Sequence, residues 1–76
     1  MTHYLKTIQP YYDEVESGNK TFEIRVNDRN YQVGDILILQ EWTGTDYTGK
    51  SITKQVTYIL DDAQFVPSGY VCMAIK

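Results

Sequence analysis

The spacing of turn-forming residues constrains this fold most. Five short runs of β-forming residues are separated by segments rich in Gly, Asn, Asp or Pro. The predicted strands are Thr2–Ile8, Lys20–Val26, Asp35–Trp42, Ile52–Leu60 and Gly69–Ile75. Five short strands leave open edges in a flat sheet, and closure into a small barrel is the common solution. We therefore expect a mainly β fold, a small mixed β-barrel of about five strands.

A short helix is predicted near the N-terminus, over Pro10–Ser17. Proline suits the first helical turn, where its missing N–H would be unpaired anyway, and Gly18 can supply a left-handed stop. Isolated helices below about 12 residues are marginal in water, so this one must pack on the sheet. We expect it to cover one open end of the barrel.

Two predicted strands carry opposite hydrophobic patterns. In Lys20–Val26, apolar and polar residues alternate, as in a half-buried strand. This predicts that Phe22, Ile24 and Val26 face the core and that Thr21, Glu23 and Arg25 share the other face. Asp35–Trp42 is almost continuously apolar, which predicts burial on both faces. The segment Thr43–Lys50 is predicted to be a hairpin loop.

A chain of 76 residues is long enough for one domain, here residues 1–76, with a small core. Its single cysteine, Cys72, allows no internal disulfide and is expected to be a buried thiol in an apolar strand. No apolar run approaches the roughly 18 residues of a membrane span, and residues 1–6 do not resemble a signal peptide. We expect a cytoplasmic protein without membrane contact, monomeric by default.

The charge pattern restricts the partners. The formal net charge is −3, whereas dedicated binders of duplex nucleic acid are usually basic. Four of the seven cationic residues nevertheless lie within the first 29 positions, which permits a local positive cleft. They are Lys6, Lys20, Arg25 and Arg29.

Two familiar chemical motifs are excluded. Residues 44–51 satisfy the P-loop pattern, but a P-loop requires a helix directly after its lysine, and here β-forming residues follow. His3 and Cys72 are the only histidine and cysteine, and neither has partners at metal-ligand spacing. We expect no metal and no cofactor.

The segment from Gly18 to Arg25 remains as the candidate site. Spacing alone favours a solvated strand face for Lys20, Glu23 and Arg25, because most charged residues are exposed. The alternative is a cleft in which Arg25 grips a phosphate or base edge, Lys20 supplies a point charge and Glu23 accepts from an amino group.

The spacing Gly18-x-Lys20-x-x-Glu23-x-Arg25 resembles the signature of ASCH domains in the PUA-like barrel superfamily. Along nearly its whole length, the chain also resembles the small bacterial and phage family DUF3850. This resemblance is carried by His3-x-Leu5-Lys6, Pro10-x-Tyr12, Thr21-Phe22-Glu23, Asn27-Asp28-Arg29, Val33-Gly34-Asp35, Leu39-x-Glu41, Tyr47-Thr48-Gly49, Val56–Leu60 and Gly69-Tyr70-Val71.

This resemblance implies a barrel with a helix beside a cleft that binds RNA or a nucleotide-like ligand. The implied ligand-binding residues are Lys20, Thr21, Glu23, Arg25, Arg29, Lys6 and His3. Base stacking is expected from among Tyr11, Tyr12, Tyr31, Trp42 and Tyr47.

Some ASCH members are amidohydrolases acting on acylated cytidine, which makes Lys20 and Glu23 the catalytic candidates. Those enzymes carry a threonine where this chain has Glu23, and this departure argues against hydrolysis. Three hypotheses therefore stand: a binding module for RNA or a nucleotide, a metal-independent nucleoside amidohydrolase, and a protein-interaction module.

Overall fold

The computed structural model describes residues 1–76 and contains five strands and one short helix. The mainly β class is therefore confirmed. In chain order the elements are β1 (Thr2–Thr7), α1 (Tyr11–Glu16), β2 (Phe22–Val26), β3 (Ile36–Trp42), β4 (Tyr47–Leu60) and β5 (Tyr70–Ile75).

The strands form one sheet in the order β1-β3-β4-β5-β2, in which only the β1–β3 pair is parallel. The long strand β4 holds the sheet together. Its first part pairs with β3, and its second part, from Val56 onward, pairs with β5 after an irregularity between Val56 and Tyr58. The predicted closure into a barrel is wrong, because β1 and β2 are the two edges of the sheet and share no ladder.

The core lies on one face of the sheet, beneath α1. Val15 of α1 joins residues of β1, β3, β4 and β5 there, so the helix is stabilised by packing, as its shortness requires. The core cluster is Leu5, Val15, Tyr31, Leu37, Leu39, Val56, Val71, Met73 and Ile75.

Strand β2 alternates as predicted, but the predicted inward face is wrong. Glu23 is only 3% exposed, whereas Phe22, Ile24 and Val26 are 44%, 54% and 50% exposed. These apolar residues pair with Ala74, Cys72 and Tyr70 of β5 on the outer surface. The polar face of β2 therefore turns toward the interior of the molecule.

Three further predictions need correction. Strand β4 begins at Tyr47, so the hairpin loop is shorter than predicted and most of the P-loop-like segment is extended strand. In β3, Leu37 and Leu39 are buried while Ile36 and Ile38 are only half-buried, so one face alone is fully covered. Cys72 is half-buried because it lies on the outer face of β5.

A buried hydrogen bond between His3 and Asp35 ties β1 to the segment before β3. His3 Nε2 donates to Asp35 Oδ2 at 2.8 Å, and the Gln32 amide donates to the same oxygen at 3.0 Å. These hydrogen bonds, the one from His3 first, lower the pKa of Asp35 to about 2. The His3 ring also packs edge-on against Tyr31, with ring centroids 4.8 Å apart. The loop between β2 and β3 is therefore fixed from within.

The low pKa of Asp35 predicts a specific acid dependence of stability. A carboxyl whose pKa is lowered by folding stabilises the protein above its unfolded pKa, and this contribution is lost as the pH falls. The free energy of unfolding should drop between about pH 4 and about pH 2, and Asp35→Asn should flatten this part of the profile. Urea unfolding at several pH values in this range measures the free energy of unfolding of both proteins. The exposed Asp61→Asn is the control, and equal slopes in wild type and Asp35→Asn would contradict the assignment.

Candidate functional site

A cleft opens where the two edge strands β1 and β2 face each other, along a gap that we call the seam. Its volume is about 590 Å³, within the range of small-ligand sites. The end of β1, the start of α1 and strand β2 contribute its walls, and about half of the lining residues are apolar. These residues are Lys6, Thr7, Ile8, Tyr11, Lys20, Phe22, Glu23, Ile24 and Arg25.

The most buried charge in the cleft is the Glu23 carboxylate. Lys20 Nζ donates to its Oε1 at 2.7 Å, and Arg25 Nε donates to its Oε2 at 3.0 Å. Burying a carboxylate is costly unless it is both paired and hydrogen-bonded, and here both conditions hold. The three residues therefore form one unit, which we call the charged triad.

Arg25 also bridges the seam. Its Nη1 donates to the Lys6 carbonyl at 3.1 Å, and its Nη2 donates to Thr7 Oγ1 at 3.3 Å. One guanidinium thus connects β2 to β1 at a place where the two strands have no backbone ladder. The planar fork of arginine suits this task, because its donors point in several fixed directions at once.

The helix end positions Lys20. The chain leaves α1 through Gly18, whose φ of 86° is a left-handed conformation that glycine adopts without strain. The Lys20 amide then donates back to the Glu14 carbonyl at 2.9 Å. The Lys20 ammonium also donates to the Phe22 carbonyl at 2.6 Å, so it is held over the start of β2.

The charged triad keeps free hydrogen-bonding capacity. Lys20 uses two of its three N–H donors and Arg25 uses three of its five. Each Glu23 oxygen accepts one hydrogen bond within the protein and can accept another. With Lys6 on the rim, the cleft carries three cations and one carboxylate. It therefore offers donors, an acceptor and a net positive charge.

A second recess of about 330 Å³ adjoins the cleft, and Ile24 and Arg25 line both. Arg29 lies in this recess and donates from Nη1 to the Tyr4 carbonyl at 2.9 Å, a second link between the β2–β3 loop and β1. Tyr31 and Tyr70 also line the recess. Burial raises the pKa of the Tyr31 hydroxyl, with Arg29 opposing, so Tyr31 is neutral near pH 7.

Of the candidates named from the sequence, Lys6, Lys20, Glu23 and Arg25 line the cleft and Arg29 lines the second recess. Two lie elsewhere. Thr21 precedes β2 and its side chain is exposed outside both cavities, and His3 is buried against Asp35.

The aromatic candidates separate in the same way. Tyr11 lines the cleft and Tyr31 the second recess, whereas Tyr12 is fully buried. Trp42 and Tyr47 pack against each other outside both cavities, with Lys6 Nζ 4.1 Å from the Trp42 ring centroid.

Sequence reasoning did not identify four cleft residues: Thr7, Ile8, Phe22 and Ile24. The inward position of Thr7 could have been inferred from its alternation with His3 and Leu5 in β1. The alternation in β2 predicts instead that Phe22 and Ile24 lie in the core.

No group of three or more His, Cys, Asp or Glu side chains is arranged to hold a metal ion. The six-residue helix is too short and too polar to cross a membrane.

Comparison with known proteins gives three findings. The sequence model of the family described as "Domain of unknown function (DUF3850)" matches residues 2–75. An uncharacterized 12.9 kDa protein encoded in the GpA 3′ region of Escherichia phage P2 is 41% identical over 59 residues. The match covers 78% of this chain but 54% of the phage protein, so the chain spans about half of that relative's length.

The third finding concerns structure. The crystal structure of hypothetical protein PH0355 superposes with a TM-score of 0.67 at 17% identity, covering 100% of this chain and 98% of the other. At this identity the likeness concerns the fold alone.

The pairing of Glu23 with two cations predicts that a single isosteric substitution lowers the stability of the fold. Glu23→Gln keeps the side-chain shape but leaves two cations facing each other without a counter-charge. We expect it to lower the free energy of unfolding by about 2 to 3 kcal/mol, below the full cost of breaking a deeply buried pair because Lys20 and Arg25 retain partial solvent access.

Urea denaturation measures this loss, and Glu14→Gln on the exposed face of α1 is the matched control. Equal stability of the two variants would show that the charged triad contributes nothing to the fold.

Proposed function

This chain belongs to the DUF3850 family, and from the geometry of its cleft we propose that it is a binding module for RNA or a nucleotide. The ligand unit is an anionic molecule with a planar polar ring, either a free nucleotide or a nucleotide within an RNA strand. The cleft between β1 and β2 is the binding site, and the charged triad is its recognition element.

The observation that carries this proposal is the buried carboxylate of Glu23 held between Lys20 and Arg25 at 2.7 and 3.0 Å. A nucleobase presents N–H donors and ring or carbonyl acceptors side by side on one edge. Glu23 can accept from such a donor while Lys20 or Arg25 donates to the neighbouring acceptor. A purely anionic ligand would need only the cations and would gain nothing from Glu23.

Shape and charge support the same ligand class. Tyr11 and Phe22 are 51% and 44% exposed at the cleft, which leaves aromatic surface available to a base. Stacking of one base on an aromatic ring contributes about 1 to 3 kcal/mol to affinity. The free donors of Arg25 can contact the phosphate, and Lys6, whose ammonium packs over the Trp42 ring, adds positive charge at the rim. They are local cations on a chain of net charge −3.

Binding is favoured over hydrolysis. The Lys20 ammonium donates to two acceptors in the protein and so acts as a hydrogen-bond donor. Thr21 would be needed as a hydroxyl on the strand face of Glu23, but it is exposed outside the cleft. The amidohydrolase hypothesis therefore gains no support from the arrangement of these side chains.

The proposal includes two finer assignments. We assign the segment Gly18-x-Lys20-x-x-Glu23-x-Arg25 to the ASCH type within the PUA-like superfamily, on the resemblance of its spacing. We also place the protein in the cytoplasm, where RNA and nucleotides are available to it.

Binding should depend on the arginine fork. We expect single-stranded RNA hexamers and ribonucleoside 5′-monophosphates to bind wild type at low salt. Arg25→Ala should weaken this binding by about tenfold or more, since a hydrogen bond to a charged group is worth about 1.5 to 3 kcal/mol. Arg25→Lys, which keeps the charge but loses the fork, should be intermediate. Isothermal titration calorimetry gives the affinities.

The matched control is Lys50→Ala, which removes an exposed cation outside both cavities and should stay within about twofold of wild type. Circular dichroism confirms that each variant is folded. Equal affinity of wild type and Arg25→Ala, or absence of binding by folded wild type at low salt, would refute the proposal.

A further inference from the structure

The cleft does not end at Arg25, because the second recess adjoins it along β2 and the β2–β3 loop, and Ile24 and Arg25 line both cavities. Building on the proposed function, we propose that the ligand is a single strand of at least two linked nucleotides rather than an isolated nucleotide. One nucleoside lies in the cleft and the next lies in the second recess.

Arg25 marks the junction of the two cavities. It is one of only two residues that line both, and the other, Ile24, is apolar. A phosphodiester that joins a nucleoside in the cleft to one in the recess must cross this shared wall. The two unused N–H donors of Arg25 can contact that phosphate while the guanidinium keeps its hold on Glu23, Lys6 and Thr7.

The second recess has the chemistry for one more nucleotide. Arg29 supplies a cation, and Tyr70 supplies an aromatic ring that is 41% exposed. Asp28, which also lines the recess, lies 4.0 Å from Arg29 Nε and adds an acceptor. This set repeats the composition of the cleft: aromatic surface, a cation and a carboxylate.

The complete groove follows the pattern of single-strand binding sites. Four cations, Lys6, Lys20, Arg25 and Arg29, are distributed over the two cavities, with aromatic side chains in each. Sites for single-stranded nucleic acid combine a positively charged groove with aromatic rings on which successive bases stack. A long duplex does not fit this chain, because only four of its seven cationic residues line the groove and its net charge is −3.

The experiment compares two ligands that differ by one nucleoside. One is a nucleoside 3′,5′-bisphosphate, pNp, and the other is the 5′-phosphorylated dinucleotide pNpN, with the base chosen by mononucleotide titration. The dinucleotide carries less negative charge, so tighter binding cannot come from charge alone. We expect pNpN to bind wild type about fivefold tighter or more, the gain of one stacked base. Deoxyribose versions show whether the strand must be RNA.

Variants show which residues produce the tighter binding of pNpN relative to pNp. Arg29→Ala and Tyr70→Ala should each reduce the pNpN-to-pNp affinity ratio toward one. Lys50→Ala and Tyr58→Ala, which remove an exposed cation and an exposed ring outside both cavities, should keep the wild-type ratio. Equal affinity of wild type for pNp and pNpN, with Arg25→Ala still weakening both, would overturn the two-nucleotide groove and leave the proposed function standing. Failure of both ligands to bind folded wild type would overturn both proposals.

Discussion

Burial of the Glu23 carboxylate between Lys20 and Arg25 determines how the two open edges of the sheet meet. Strand β2 lies at the edge of the sheet, where either face of its alternating sequence could turn inward. Burial of Glu23 requires two cations beside its carboxylate, since an unpaired buried carboxylate would cost several kcal/mol. The guanidinium of Arg25 then bridges to β1 through Lys6 and Thr7 in place of a backbone ladder. The open seam and its cleft follow from this arrangement.

The sequence predicts the elements of this fold well and the orientation of one strand badly. Turn residues and runs of β-branched residues predict all five strands, and Pro10 and Gly18 predict where the helix begins and ends. These signals are reliable because they act locally. Local signals could not predict which face of β2 is buried. Alternation specifies two faces without saying which is covered, and the usual rule assigns the apolar face to the core. Here Phe22, Ile24 and Val26 lie outside, and Cys72 on the neighbouring strand β5 shares their surface.

The candidate site was predictable where its residues are close in sequence. Lys20, Glu23 and Arg25 lie within six positions, so strand geometry alone brings the last two to one side. Thr7 lines the cleft and Tyr70 lines the second recess because distant strands pair in the sheet. No local spacing in the sequence encodes this pairing. Local spacing equally does not encode the position of His3 outside both cavities, because its partner Asp35 is 32 positions away. The β1–β3 pairing that unites these two residues is a property of the whole sheet.

We propose that the ligand of this protein binds at the inward-facing charged triad. Nuclear magnetic resonance of isotope-labelled protein, titrated with a ribonucleoside 5′-monophosphate, tests it most directly. Chemical-shift changes should concentrate on residues of the cleft, foremost the side chains of Lys20 and Arg25 and the amides from Phe22 to Arg25. Changes confined to the β3–β4 hairpin around Gly44, with the charged triad unaffected, would contradict this proposal.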